Sequence, residues 1–164
     1  ILRSILYRLR GEYTTEKLVK MGMKVGKNFA RLHGVILDPA HCWLIEIGDN
    51  VTMAPRVHVL THDASTVHHF GYAKVGRVKI GNNVFIGAET VILPKVTHSL
   101  SKNSVYAGNP AKKISSMEDF LEKNRKLMEQ CPCYGEEYTI RQNVDDKKKK
   151  QMNMELKNTV GFVK

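Results

Sequence analysis

The chain has 164 residues, 42% of them hydrophobic, which suits one domain with a real core and argues against intrinsic disorder. Its 26 Lys and Arg against 16 Asp and Glu give a formal net charge of +10, but the cations are dispersed apart from Lys147 to Lys150, and no aromatic-rich basic motif accompanies them. Nucleic acid is therefore not the expected partner, whereas a polyanionic small ligand drawn to a cleft fits the charge.

No apolar run approaches the roughly 20 residues of a membrane span. The three cysteines, Cys42, Cys131 and Cys133, make an odd count, and Cys131-Pro-Cys133 lacks the second pair of a zinc site. Free thiols in a soluble, cytoplasmic protein are expected. The opening "ILRSILYRLRGEY", without an initiator Met, reads as a trimmed start.

In chain order, residues 1–24 read as an N-terminal helical cap: Ile5, Leu6 and Leu9 repeat at helical spacing, and Thr14 stands as the cap of a second short helix. From Val25 the pattern changes to sixes: "VGKNFA RLHGVI LDPAHC", "IGDNVT MAPRVH VLTHDA" and, after an interruption, "IGNNVF IGAETV ILPKV". Each hexad opens with an aliphatic residue, Arg31 and Met53 excepted, and often follows it with a small one. A period of six is a short strand plus a turn, with the first side chain pointing into a narrow prism and glycine at a corner. One hexad cannot bury its inward residue, so the coils must stack. The competing reading, antiparallel hairpins turning at "IGDN" and "IGNN", does not explain the sustained sixfold register.

Residues 65–79, "STVHHFGYAKVGRVK", interrupt the hexads and read as a loop that leaves the prism and returns, the usual place for binding and chemistry. The repeats end at residue 115. Residues 116–164 follow as a C-terminal helix and tail, with Phe120, Leu121, Leu127 and Met128 on one helical face and "DDKKKKQ" as a solvated helical stretch.

With hexads, a loop carrying Thr61-His62-Asp63, and "NSVYAGNPAKKI" in this order, the chain resembles the hexapeptide-repeat acyltransferases, and within them the maltose, galactoside and capsular-sugar O-acetyltransferase branch. The resemblance covers about residues 25–115, and its most specific element is Ala107 to Lys112. It implies a mainly β fold: a left-handed parallel β-helix, with short N-terminal helices and a C-terminal helical extension. Pairing rules by themselves favour right-handed crossovers. It also implies a homotrimer with active sites in the clefts between subunits, acetyl-CoA as co-substrate, and a small sugar-like acceptor. Family members run one further coil of three hexads past the segment matching Ile92 to Val96; that coil is missing here before Thr97.

The resemblance also assigns roles. His62 matches the catalytic base, which takes the acceptor's proton as oxygen attacks the thioester. The backbone N–H of Ala88 matches the oxyanion donor. Asp63, Arg56 and Phe85 are candidates for acceptor binding; Asp63 serves equally well as a turn residue, Phe85 as a packed aromatic, and Arg56 stands where sugar-acetylating relatives often carry Asn. Thr97, Gly108, Asn109, Pro110, Lys112 and Lys113 would hold the CoA arm, glycine allowing close approach and the lysines meeting phosphate. No metal site is assigned. The expected activity is direct acetyl transfer to a sugar or polysaccharide precursor without an acyl-enzyme. Weighed against it are N-acetylation of an amino sugar or xenobiotic, a γ-carbonic-anhydrase-like zinc enzyme drawing on His33, His62, His68 and His69, and a non-catalytic trimeric scaffold.

Overall fold

The computed structural model describes residues 12–94 and 99–164, in two compact units that meet at Met117 and Glu118. The chain is mainly β with a few short helices. The helical repeat over Ile5, Leu6 and Leu9, and Thr97, lie outside the described residues.

In the first unit, α1 (Thr15–Lys20) begins where the Thr14 hydroxyl accepts the Lys17 N–H at 3.2 Å, and its buried Leu18 joins the core. Strands then arrive in threes. The first turn holds β1 (Lys24–Val25), β2 (Ala30–Arg31) and β3 (Ile36–Leu37), and the second holds β4 (Ile45–Ile47), β5 (Thr52–Met53) and β6 (His58–Val59). β7 (His62–Asp63) and β8 (Lys74–Val75) form an antiparallel pair, with the helical turn α2 (Val67–Phe70) between them. The third turn holds β9 (Val78–Ile80), β10 (Val84–Ile86) and β11 (Val91–Ile92), followed by β12 (Ser104–Ala107) and β13 (Lys112–Ser116).

Each strand pairs with its counterpart one turn on, giving parallel ladders β1-β4-β9, β2-β5-β10-β12 and β3-β6-β11, with β13 antiparallel on the edge of the second. The three strands of each turn thus belong to different sheets, so the "IGDN" and "IGNN" segments are corners and not hairpins. Inside lie the hexad-opening residues Leu37, Ile47, Met53, Val59, Ile80, Ile86 and Ile92, together with Val35, Val51, Val57 and Val84 from fifth positions. Burying each such side chain contributes roughly 1.5–3 kcal/mol.

The two irregular openers differ in how they fit. Met53 is simply buried, while Arg31, 8% exposed, donates from Nε and Nη2 to the Val35 carbonyl at 3.1 and 2.5 Å and from Nη1 to the Tyr13 carbonyl at 2.8 Å. Its charge is thereby hydrogen-bonded where the prism meets the N-terminal segment.

Two corner devices hold the turns together. A Cβ on Gly48 would come within 2.8 Å of the Gly81 carbonyl carbon, and one on Gly81 within 2.8 Å of the Lys102 amide, so successive coils touch backbone to backbone there. Beside them Asn28, Asn50, Asn83 and Asn103 all adopt left-handed φ of 53–55°, and each amide donates to the next at 2.9 Å, a ladder running the length of the prism.

Successive turns step by 22 residues (Lys24↔Glu46), 33 (Ile45↔Val78) and 20 (Ile80↔Leu100). Three hexads make 18, and the surplus falls each time between the third sheet and the first. The large excursion ends before Val78, not at residue 79, because Val78 and Ile80 are buried opposite Ile45 and Ile47. Where the sequence lacks a coil, the chain stacks directly: Leu100 exchanges backbone bonds with Lys79 and Gly81 at 2.8 Å, and β12 pairs with β10.

The second unit, Glu118–Lys164, takes in most of α3 (Met117–Met128), which buries no residue, and pairs β14 (Cys133–Tyr134) in parallel with β15 (Phe162–Val163). α4 (Asp146–Glu155) starts where the Asp145 carboxylate accepts the Lys148 N–H at 2.8 Å, and the Tyr134 hydroxyl donates to Glu155 at 2.8 Å. The three cysteines are free thiols. No helix among the described residues is long and apolar enough to cross a membrane.

Candidate active site

The corner between the third and first sheets carries both inserted segments and His62. Leu37 pairs with Val59, which sets Asp38 one residue past the third sheet, underneath the chain leading to Thr61 and His62. Asp38 is 3% exposed. Its Oδ2 accepts the Thr61 N–H at 2.9 Å and the Thr61 hydroxyl at 2.5 Å, and lies 2.6 Å from His62 Nδ1; Oδ1 accepts the Ala40 N–H at 2.9 Å. Burial pushes this carboxyl up, but the Thr61, His62 and Ala40 hydrogen bonds more than offset it and hold the group down to about 2.

An ionised carboxylate only accepts, so His62 donates Nδ1–H to it and keeps the lone pair on Nε2. The His62 side chain is 38% exposed, and its tautomer and orientation are fixed by a buried partner. Asp38 was not among the residues singled out from the sequence: it lies 24 residues before His62, and the register between the two turns is set by an insertion. His41, also missed, holds its ring 5.7 Å from that of His62, tilted by 59°.

Asp38, His41 and His62 each offer a ligand atom, all within 4.8 Å of one another, a set able to approach a metal ion. Oδ2 of Asp38, however, already serves Thr61 twice and His62 once, the pattern of a hydrogen-bonded carboxylate–imidazole pair. Of the four histidines weighed for zinc, His62 joins this cluster; His68 and His69 are exposed on α2, and His33 is exposed at another corner.

The other sequence-derived candidates are placed as follows. Asp63 accepts the Ser65 N–H at 2.8 Å and pairs with Lys74 at 2.8 Å, bonds that hold its carboxyl well below the usual range and brace the β7–β8 pair. Arg56, with φ +60°, stacks over Gly34 at the corner between the second and third sheets and pairs with Glu89. Ala88 is exposed at that same corner, and Phe85 is half-buried on β10 opposite Thr52 and Val105. Within one chain the third sheet therefore stands between His62 and the pair Ala88 and Arg56. Gly108 (φ +95°), Asn109 and Pro110 turn the chain beside β11, where Val91 bonds the Gly108 carbonyl at 3.2 Å and the Ala111 amide at 3.0 Å. Lys112 and Lys113 are exposed on β13.

Protein CapG of Staphylococcus aureus is 31% identical to this chain over 160 residues, 85% of this chain and 88% of that protein. The chain belongs to the hexapeptide-repeat acyltransferases. The galactoside O-acetyltransferase of Escherichia coli (strain K12) is 34% identical over 115 residues, 58% of this chain but only 54% of that enzyme. Among solved structures, a maltose O-acetyltransferase from Clostridium difficile 630 aligns at 33% identity over 58% of this chain and 59% of that one, with a TM-score of 0.45. No family model matches the sequence.

Proposed function

We propose that this hexapeptide-repeat protein is an acetyl-CoA-dependent O-acetyltransferase acting on a sugar or polysaccharide precursor. The Asp38–His62 pair is the observation that carries the reading. His62 Nε2 takes the proton of an acceptor hydroxyl as its oxygen bonds to the thioester carbon. The Ala88 N–H stabilises the oxyanion, and collapse expels the CoA thiolate, which recovers the proton from His62. Every bond made and broken lies between acceptor and thioester, so no acyl-enzyme forms.

A left-handed parallel β-helix assembled as a cytoplasmic homotrimer completes the reading. His62 and Ala88 lie on opposite sides of the third sheet, so a second copy is needed to bring one chain's oxyanion donor to another's base. The outer faces differ accordingly. The first sheet presents Lys24, Glu46 and Lys79, with Lys79 and Glu46 paired at 3.3 Å; the second presents Ala30, Thr52 and Phe85, and the third Ile36, His58 and Val91. The less charged pair of faces suits burial between subunits. Gly108, Asn109, Pro110, Lys112 and Lys113, with Thr97, would hold the CoA arm, and Asp63, Arg56 and Phe85 would border the acceptor.

Incubation with radiolabelled acetyl-CoA and a panel of hexosides, amino sugars and nucleotide sugars tests this reading. Label is expected in ester linkage to a hydroxyl sugar, with release of free CoA. Label in amide linkage to amino sugars would instead make the protein an N-acetyltransferase, and no CoA binding at all would favour a scaffold.

A further inference from the structure

The sequence contains one tryptophan, Trp43, and this residue is 54% exposed. On one side Cys42 is fully buried, its Sγ 3.7 Å from the Leu18 carbonyl and 3.8 Å from that of Met21; two residues on, Ile45 is fully buried in β4. The Trp43 Cβ packs so closely on the Gly22 turn that a Cβ there would stand 3.0 Å from it. The four-residue surplus between the first and second turns thus buries a cysteine as an anchor and pushes an indole outward. An exposed indole offers a large flat apolar face for use by a ligand.

Where the ring is held identifies that use. His41 packs edge-on to Trp43 at 5.4 Å and 69°, and tilts against His62 at 5.7 Å, so the Trp43 and His62 ring centres are at most about 11 Å apart. One hexose in van der Waals contact with the indole and hydrogen-bonded to Nε2 of His62 bridges such a gap. The His41 Nδ1 is buried with no hydrogen-bond partner, which marks the ring as a wedge setting this spacing more than as a polar contact. The later insertion at the same corner adds the exposed rings of Phe70 and Tyr72.

We propose that Trp43 is the acceptor platform, stacking on the apolar face of a sugar ring whose hydroxyl is thereby offered to His62, with His41 as the positioning residue between them. The proposal rests on the acetyltransferase reading and assigns its acceptor to pyranose sugars.

Because Trp43 is the one tryptophan, fluorescence of the intact protein reports on this position alone. The protein saturated with CoA is titrated with methyl glucosides, methyl galactosides, N-acetylglucosamine and UDP-hexoses. At least one sugar is expected to give a saturable emission change. His41→Ala should weaken that sugar about tenfold, the loss of roughly 1.4 kcal/mol of contact, while His41→Phe, which keeps the wedge, should restore most of the affinity. CoA affinity by calorimetry should stay within twofold in both variants. Emission that no sugar alters, emission that follows CoA and not sugar, or a Trp43 shielded from acrylamide in the free protein and so buried between subunits would each overturn the proposal. Absence of CoA binding would overturn the acetyltransferase reading itself, so the two failures are distinct.

Discussion

Asp38 and His62 are hydrogen-bonded at 2.6 Å, and on the proposed mechanism each residue predicts a different loss. His62→Ala should leave CoA affinity nearly unchanged while lowering turnover by about 10² to 10⁴, measured in single-turnover transfer. Transfer within tenfold of the parent would dismiss His62 as the base. Asp38→Asn keeps the shape but removes a charge-assisted hydrogen bond, about 1.5–3 kcal/mol, so turnover should fall roughly 10- to 150-fold with CoA affinity again unaltered. Stability follows a separate course. The Asp38 carboxyl is held down to about 2 in the fold, below its unfolded value. Its contribution, about 2 kcal/mol, is therefore complete above the unfolded value of about 3.9 and is lost as pH falls toward 2. Urea titrations between pH 5 and 2 should show a shallower decline in Asp38→Asn than in the parent.

At the scale of the element, the asparagine ladder does for the corner what the inward aliphatics do for the core. Asn50 both donates and accepts within the ladder and holds φ +54°, so Asn50→Ala loses two side-chain bonds and meets a left-handed backbone penalty. A cost of about 1–2 kcal/mol is expected from urea midpoints at unchanged slope. Asn50→Gly relieves the backbone penalty and should recover part of that loss. Equal stability for the alanine variant and the parent would show that the ladder merely accompanies the corner glycines.

For the whole molecule, light scattering at micromolar concentration should give three times the chain mass, and a monomer would leave Ala88 without a base to serve. Changing Lys112 and Lys113 together to Ala should weaken CoA binding and flatten its salt dependence with the fold intact, since both lysines are exposed on an edge strand. Dialysis against a chelator should leave turnover unchanged, because the Asp38 oxygen nearest His62 is committed to hydrogen bonds. A loss that zinc restores would instead make Asp38, His41 and His62 a metal centre.

The sequence determined the coil. A sixfold period is a local property, so the inward stations at Ile47, Val59, Ile80, Ile86 and Ile92, the corner glycines, the Thr14 cap and the position of the excursion could all be read along the chain. His62 was singled out through its motif, and the structure sets it beside the buried Asp38. Only the tertiary structure decided what lies one turn away. Leu37 stacks on Val59, 22 residues on, which carries Asp38 to the Thr61–His62 segment, and that number depends on how many residues the Pro39 to Trp43 region diverts from the prism. The same stacking aligns four asparagines spaced by 22, 33 and 20 residues, gives Arg31 the carbonyls of Val35 and Tyr13, and sets His41 between Trp43 and His62. Local periodicity fixes which way a side chain points; the lengths of the insertions fix which residues it meets, and those lengths count only once the coils are stacked.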